Sequence, residues 1–467
     1  MTTLSALEEL RQLLAPDQFS TQPKELQHYG KDWTTYFDIK ASAVVFPKST
    51  QDIQTVVLWA NRHQVAIVPS GGRTGLSGGA CATNGEIILS LQKMNQILDF
   101  SSLEHTVQVQ AGVITQDLQN WALEKGLFYP VDFAARGSSQ IGGNIATNAG
   151  GIKVLRYGLT RDWIAGLVVV TGSGEILNLN QGLIKNATGY DLRHLIVGSE
   201  GTLAIVAEAT IRLALKPPPL QVFFIASPSL PQLMEAFAGF RQRLTLTAFE
   251  MLSERALEIV TQKLQVTSPL ASTSPYYAVV EFEVNQPSDA ELALETFSDL
   301  VDKGALTDGA LAQSETQAKM FWRLREDISE SLSAFSPYKN DLSVRVSKVP
   351  ALVLELNPLL KARYPTWEVV WFGHVGDGNL HINILRPNGV TKEDFVRQCQ
   401  SVDELLFAVV QKHHGSISAE HGVGLTKKKF LHFTRSESEI ELFSMIKKTF
   451  DPKGVLNPGK LIPDSPD

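Results

Sequence analysis

The sequence predicts an α+β protein of two successive mixed domains followed by a C-terminal helical segment. Strand-like and helix-like periodicities alternate with no internal repeat, glycine-rich loops join the early elements, and Pro217, Pro218 and Pro219 break the pattern near its middle. The expected domains are residues 1–216, itself two α+β subdomains, and 217–420, with 421–467 packing back toward the first. A chain of 467 residues is too long for one ordinary core, which fits this division.

Taken in order, MTTLSALEELRQLLA reads as an amphipathic helix with acidic residues, without the basic stretch and apolar block of a secretory signal. ASAVVFP (41–47) reads as a strand, STQDIQTVVLWANRHQ as a capped helix, and VAIVP and EIILSL as strands. TVQVQAGV alternates with period two, TQDLQNWALEKG is a helix closed by Gly126, and LVVVTGSGEILNL is a hairpin turning at Gly-Ser-Gly. TLAIVAEATIRLAL is the strand that ends the first domain. The pattern restarts at 220 as strand, helix (231–243), strand YYAVVEFEV, helix (289–303), a long helix from about 314, and strands around WEVVWFGH and LHINIL. KEDFVRQCQSVDELLFAVVQKHHG is a helix closed by Gly415, and SESEIELFSMIKKTF is the last helix before DPKGVLNPGKLIP.

Composition narrows the function classes. The 43% hydrophobic and 19% charged fractions match soluble globular usage. With 49 acidic against 42 basic side chains the formal charge is −7, which repels polyanions and argues against nucleic-acid binding. Cys81 and Cys399 stand far apart, so a reducing compartment, the cytoplasm, is expected rather than a disulfide framework. The longest apolar runs are too short to span a bilayer, which leaves open only peripheral membrane contact.

Ser70 to Ala80 joins two strands and holds Gly71, Gly72, Gly75, Gly78 and Gly79, with Arg73, Thr74, Leu76 and Ser77 between them. Such a loop can point several backbone N–H groups inward as a nest suited to a pyrophosphate. It matches neither GxGxxG at a strand-to-helix turn nor a P-loop, so nicotinamide and ATP lose their expected mechanics. RGSSQIGGNIATNAGG repeats the small-residue theme, with Ile141, Ile145 and Ala149 marking it as more than a surface loop, and VGSEGTLAIV repeats it again. The pattern suits backbone brought against a flat, extended ligand.

In this order and spacing, PSGGRTGLSGGA, IGGNIATNAGG, NATGYDL and GSEGTLAIV resemble the FAD-binding domain of the vanillyl-alcohol-oxidase-like flavoproteins. The resemblance covers essentially the whole chain and falls in the FAD-linked D-2-hydroxy-acid dehydrogenase branch, with its D-lactate, glycolate and D-2-hydroxyglutarate enzymes. It implies that Ser70 to Gly79 cradle the FAD pyrophosphate. It assigns the remaining cofactor lining to Asp132, Gly137, Ser138, Gly142, Gly143, Asn144, Thr147, Asn148, Gly150, Glu200, Gly201, Ile205 and Asn457. Some relatives tether the flavin through a histidine in the first loop; this loop has none, so non-covalent FAD is expected.

In WFGHVGDGNLHINI, Asp377-Gly378 signals a two-residue hairpin turn. Centring the turn there opposes His374 to His381, with Cβ atoms about 5 Å apart on one face, and puts Asn383 on the same face. Further along, SAEHGVG adds Glu420 and His421. Two imidazoles and a carboxylate suit a divalent metal, zinc first, with manganese or iron also fitting. The resemblance implies the same ligands, His374, His381 and Glu420, and makes His421 the catalytic base.

An anionic substrate needs cations, and FWRLREDISESLSAFSPYKNDLS supplies Arg323, Arg325 and Lys339. Arg323 reads as a solvated helix residue paired with Glu326 or Asp327. Arg325, Ser329 and Lys339 are similar in position to the substrate-carboxylate contacts of the D-2-hydroxyglutarate enzymes, and Asn383 joins them as a substrate contact. A dicarboxylate therefore leads, ahead of D-lactate or glycolate and ahead of a flavin subunit of a larger complex. Arg345 stands where relatives carry proline, with no role assigned. Two cysteines cannot ligate an iron–sulfur cluster, so electrons are expected to leave to an external electron-transfer flavoprotein, quinone or cytochrome. The assembly stays open between monomer and homodimer.

Overall fold

This computed structural model describes residues 3–34 and 36–463; Met1 and Thr2 of the expected first helix lie outside the described residues, and the helix runs Leu4–Gln12. The apolar runs of the first domain form two sheets. The first contains β1 (Phe19–Ser20), β2 (Ala43–Val45), β3 (Ile67–Ser70) and β4 (Ile87–Ser90) in the order β1-β2-β4-β3, with β2 and β3 parallel to β4. Parallel pairing needs a crossover, supplied by the helix Thr50–His63. Ser49 caps that helix by accepting the Asp52 N–H at 3.1 Å, and Ile53, Val56, Val57, Trp59 and Ala60 bury its inner face.

The second sheet is antiparallel and contains β5 (Ile97–Ser101) and β6 (Thr106–Gln110). A short β7 (Leu127–Phe128) stands outside it, and β8 (Ile164–Thr171), β9 (Ile176–Leu179) and β10 (Ala204–Arg212) complete the order β5-β6-β10-β8-β9. β11 (Ala214–Leu215) pairs with β7. One apolar core unites both sheets, running from Val45 and Trp59 through Val109, Ile145 and Val169 to Ile205 and Leu456. Each such side chain contributes about 1.5–3 kcal/mol by leaving water.

The chain divides into two compact units. One comprises residues up to Gly150, Gly158–Lys216 and the segment from Glu420 onward; the other comprises Gly151–Tyr157 and Pro217–Ala419. The second unit is built on one antiparallel sheet of β12 (Leu220–Ser227), β13 (Leu246–Ser253), β14 (Tyr276–Glu283), β15 (Asp308–Leu311), β16 (Tyr338–Ser343), β17 (Val369–Gly373) and β18 (Asn379–Ile384). Their order is β15-β12-β14-β13-β17-β18-β16. Gly151–Tyr157 is fastened there by charge: Arg156 Nε lies 2.9 Å from Glu283 Oε1, and Lys153 pairs with Glu281 and sits over the Trp322 ring.

Several elements depart from the expectation. The long helix from 314 is two helices, Glu315–Glu326 and Ile328–Ser333, meeting at Asp327. β13 with its following helix Glu254–Leu264, and the helix Val349–Arg363, have no counterpart in the predicted pattern. β13 is buried along nearly its whole length and so lacks the alternation of a half-exposed strand, while Pro358 sits inside the second helix where proline ordinarily signals a break. Among the described residues, no helix is long and apolar enough to cross a membrane. Cys81 and Cys399 are buried free thiols.

Candidate active site

In the first unit the glycine loops pack on one another. A Cβ on Gly72 would lie 2.2 Å from the Ser138 carbonyl oxygen, so only glycine permits this approach. At Gly143 no atom stands within 4 Å of where a Cβ would project. Arg73, Asn148, Glu200 and Asn457, all in the expected cofactor set, have positive φ between 43° and 59°. Such backbone is sparsely populated for residues with side chains and gathers where the fold has a use for it. Asn457 ties the first and third loops together, its amide donating to the Gly79 carbonyl at 2.9 Å and the Glu200 carbonyl at 2.8 Å.

Several expected polar contacts are satisfied within the chain. Asn144 Nδ2 donates to Thr115 Oγ1 at 2.6 Å, Thr147 Oγ1 donates to the Gly143 carbonyl, and Asn148 Oδ1 accepts the Arg161 N–H. Asp132 takes Arg136 Nη1 on both oxygens, and Gly137 and Ser138 are exposed. The Gly78 N–H already has a partner in the Asp32 carboxylate at 2.7 Å, a residue the sequence does not flag. Buried Gln140 Oε1 and Asn457 Oδ1 have no hydrogen-bond partner, which with the open space at Gly143 fits a cofactor bearing polar edges.

Glu200 clasps the loop that carries His421. Its carboxylate accepts the Val423 N–H at 2.7 Å and the Gly424 N–H at 2.8 Å, while burial pushes the carboxyl group's pKa upward. Ser77 braces the same turn, its carbonyl accepting the Leu425 N–H at 2.8 Å. Glu420 and His421 are part-buried, with Oε1 3.7 Å from Nε2. Lys460 is buried near Glu86, and desolvation lowers its pKa to about 8.

In the second unit the hairpin register differs from the expected one. β17 and β18 pair Phe372 with His381 and Trp371 with Ile382, so His374 belongs to the connection instead of facing His381. The turn is wider because the His374 carbonyl accepts the N–H groups of Asp377, Gly378 and Asn379, and the Gly376 N–H goes to the Phe249 carbonyl. Gly378, at φ +90°, passes so close to the Val344 carbonyl that a Cβ would stand 2.0 Å from its oxygen. The imidazoles still meet edge to face, ring centroids 5.4 Å apart.

A buried carboxylate orients His374 from its Nδ1 side, and a second buried carboxylate lies beside His381. His374 Nδ1 lies 2.8 Å and 2.7 Å from the two oxygens of Glu250, and His381 Nδ1 lies 3.6 Å from Asp341 Oδ1. A carboxylate on Nδ1 is the usual arrangement of metal-binding histidines. Asp341 Oδ2 also accepts the Ala419 N–H at 3.0 Å, and Glu420 is the next residue in the chain. His381 and Asp341 supply imidazole and carboxylate donors of the kind a divalent cation takes. The sequence does not flag Glu250 as an orienting group; a lone acid inside the apolar run AFEML is the available signal for it.

The register pairs Lys339 with Asn383 and Asp341 with His381, which puts all four on one face of the sheet. Buried Arg325 lies over the Phe372 ring at 5.0 Å, and its Nη2 is 2.8 Å from Glu250 Oε2. Arg325 Nε and Asn383 Oδ1 are buried without hydrogen-bond partners. Lys339 is exposed, although neighbouring atoms lower its pKa by desolvation. Ser329 is exposed four residues beyond Arg325, Arg345 is exposed, and Arg323 forms the surface pair with Asp327 at 3.2 Å. For Glu250, burial raises the pKa, but the charges of His374 and Arg325 outweigh it and hold the group below the usual carboxylate range.

Residues 216–461 match the family described as FAD linked oxidases, C-terminal domain, and residues 41–180 match the FAD binding domain family. The sequence is 51% identical to the D-2-hydroxyglutarate dehydrogenase of Stutzerimonas stutzeri over 99% of each chain. It is 52% identical to the D-2-hydroxyglutarate dehydrogenase of Xanthomonas citri pv. viticola over 97% of this chain and 96% of that one. Among solved structures, p-cresol methylhydroxylase with substrate bound has a TM-score of 0.78 at 15% identity, covering 99% of this chain and 97% of that one, a likeness of fold alone.

Proposed function

We propose that this chain, which belongs to the FAD-linked oxidases, oxidises D-2-hydroxyglutarate to 2-oxoglutarate with the help of a divalent metal. The observation that carries the substrate is the one sheet face bearing Lys339, Asn383 and His381, bordered by Arg325 over Phe372. Two cations of different geometry suit a dicarboxylate: the guanidinium grips one carboxylate through its fork, and the ammonium meets the other as a point charge. Relatives named for the same acid at 51% and 52% identity support this choice.

Bound FAD supplies the two-electron acceptor, and a divalent ion, zinc before manganese or iron, supplies a Lewis acid for the α-hydroxyl and carboxylate oxygens. His374, His381 and Glu420 would hold the ion; the glycine loops, Gln140 and Asn457 would hold the flavin. His421 removes the hydroxyl proton as the C2 hydrogen leaves with its electron pair, so the alcohol carbon becomes a ketone. Arg325 fixes the carboxylate next to that carbon, Lys339 fixes the distal one, and Asn383 is a further substrate contact on the same face. The electrons then pass to an external flavoprotein, quinone or cytochrome.

The test is Lys339→Met. Losing one charge-assisted contact of about 1.5–3 kcal/mol raises KM for D-2-hydroxyglutarate roughly 10- to 150-fold with kcat nearly kept. An equal loss on D-lactate, which has no distal carboxylate, overturns the role of Lys339.

A further inference from the structure

Glu250 lies on β13 as a single acid among Ala248, Phe249, Met251 and Leu252. Its side chain is 2% exposed, yet it holds two cation-forming groups, with His374 Nδ1 at 2.7 Å and Arg325 Nη2 at 2.8 Å from Oε2. The backbone explains the meeting. β13 and β17 pair Met251 with Gly373 and Leu252 with Phe372, so continuing the register by one residue sets Glu250 opposite His374. Phe372, beneath the Arg325 guanidinium, shares the face of Leu252 and Glu250.

We propose that Glu250 is a positioning residue that sets the metal-binding imidazole of His374 and the carboxylate-binding guanidinium of Arg325 with one buried carboxylate. The inference rests on the metal-assisted reading above and deepens it. On the His374 side, an ionised carboxylate accepts only, so it favours the proton on Nδ1 and the ligand lone pair on Nε2. On the Arg325 side, it pairs by charge with Nη2 and leaves Nε, buried without a partner, as the donor still to be matched by a substrate oxygen. The two substrate-facing atoms are thus fixed relative to each other through one anchor.

Stability alone is a weak reason for such a group. A buried ion pair commonly contributes no more than a well-packed apolar replacement, because desolvating the charges offsets their attraction. An uncharged amide cannot do the same work: glutamine has one acceptor oxygen, so its NH2 would face either the Nδ1–H of His374 or the Nη2 of Arg325.

The experiment uses FAD-loaded full-length protein stripped of metal. Zn2+ affinity is measured by competition with a chromophoric chelator, without substrate, for wild type, Glu250→Gln and Glu250→Asp. The unfolding midpoint is recorded alongside, as is KM for D-2-hydroxyglutarate after reloading. Both variants are expected to bind Zn2+ 10- to 100-fold more weakly than wild type. Both should also raise KM more than they lower kcat, with Glu250→Asp the milder and the more certain to fold. Wild-type Zn2+ affinity in both variants, or a lowered midpoint with Zn2+ affinity and KM unchanged, overturns the proposal and leaves Glu250 a packing residue. A wild-type protein that binds neither Zn2+, Mn2+ nor Fe2+ overturns the metal-assisted reading itself, an outcome visible before any variant is compared.

Discussion

Replacing Glu200 by glutamine tests whether the clasp on the His421 loop sets the rate. In the native chain the carboxylate accepts two backbone N–H groups, from Val423 at 2.7 Å and Gly424 at 2.8 Å. Glutamine keeps one acceptor and turns its NH2 toward the other donor. The lost charge-assisted bond is worth about 1.5–3 kcal/mol, and the stranded N–H adds a penalty of about 1–3 kcal/mol. Burial raises the Glu200 pKa, so a neutral amide recovers part of that loss as relieved desolvation. The net destabilisation is therefore about 1–3 kcal/mol, concentrated in residues 422–424, immediately after His421. A displacement of the base by about 1 Å costs on the order of 100-fold, so kcat should fall roughly 10- to 100-fold with FAD still bound. The assay is kcat against pH on FAD-saturated protein, with flavin content measured in parallel. Wild-type kcat, or lost flavin with an unchanged pH profile in the residual activity, would refute the clasp and make Glu200 a flavin contact instead.

Two further outcomes follow from single positions. Gly143→Ala places a methyl group where no protein atom lies within 4 Å, inside the helix Ile141–Thr147. It should stabilise the apoprotein by up to about 1 kcal/mol yet weaken FAD retention at least tenfold, measured by thermal unfolding and flavin dissociation; unchanged retention would place the flavin elsewhere. Lys460, lowered from 10.5 to about 8 by desolvation, binds its proton less tightly folded than unfolded. The penalty is therefore fully present below pH 8 and fades as pH rises toward 10.5, a gain of up to about 3 kcal/mol that Lys460→Met should lack. Parallel urea-stability curves for the two proteins over this range would contradict it.

What the sequence revealed and what it hid divide along sequence distance. The crossover helix behind Ser49, the strands on either side of Ser70–Ala80 and the hairpin at Gly172–Gly174 are local patterns, and all three are found in the fold. His374, His381, Glu420 and His421 stood out because reactive residues recur among small ones in short runs. Glu250 did not, because its meaning is a contact with His374 across 124 residues, on a strand whose burial erased its own alternation. The hairpin shows the limit of a local rule. Asp377-Gly378 signals a turn correctly, but the Phe249 carbonyl and the Val344 chain, both remote in sequence, fix its width and move His374 off the ladder. Asn144, Thr147 and Asn148 make the same point for the cofactor loops, since sequence cannot say whether a short polar side chain bonds the ligand or its own backbone.

The most direct measurement is anaerobic bleaching of the flavin spectrum of FAD-loaded protein by D-2-hydroxyglutarate, D-malate, D-lactate and glycolate in turn, each with and without a chelator. The account predicts rapid bleaching by D-2-hydroxyglutarate, far slower bleaching by the monocarboxylates, and loss of both after chelation. A spectrum unmoved by D-2-hydroxyglutarate, or bleached equally by D-lactate and indifferent to the chelator, would contradict it.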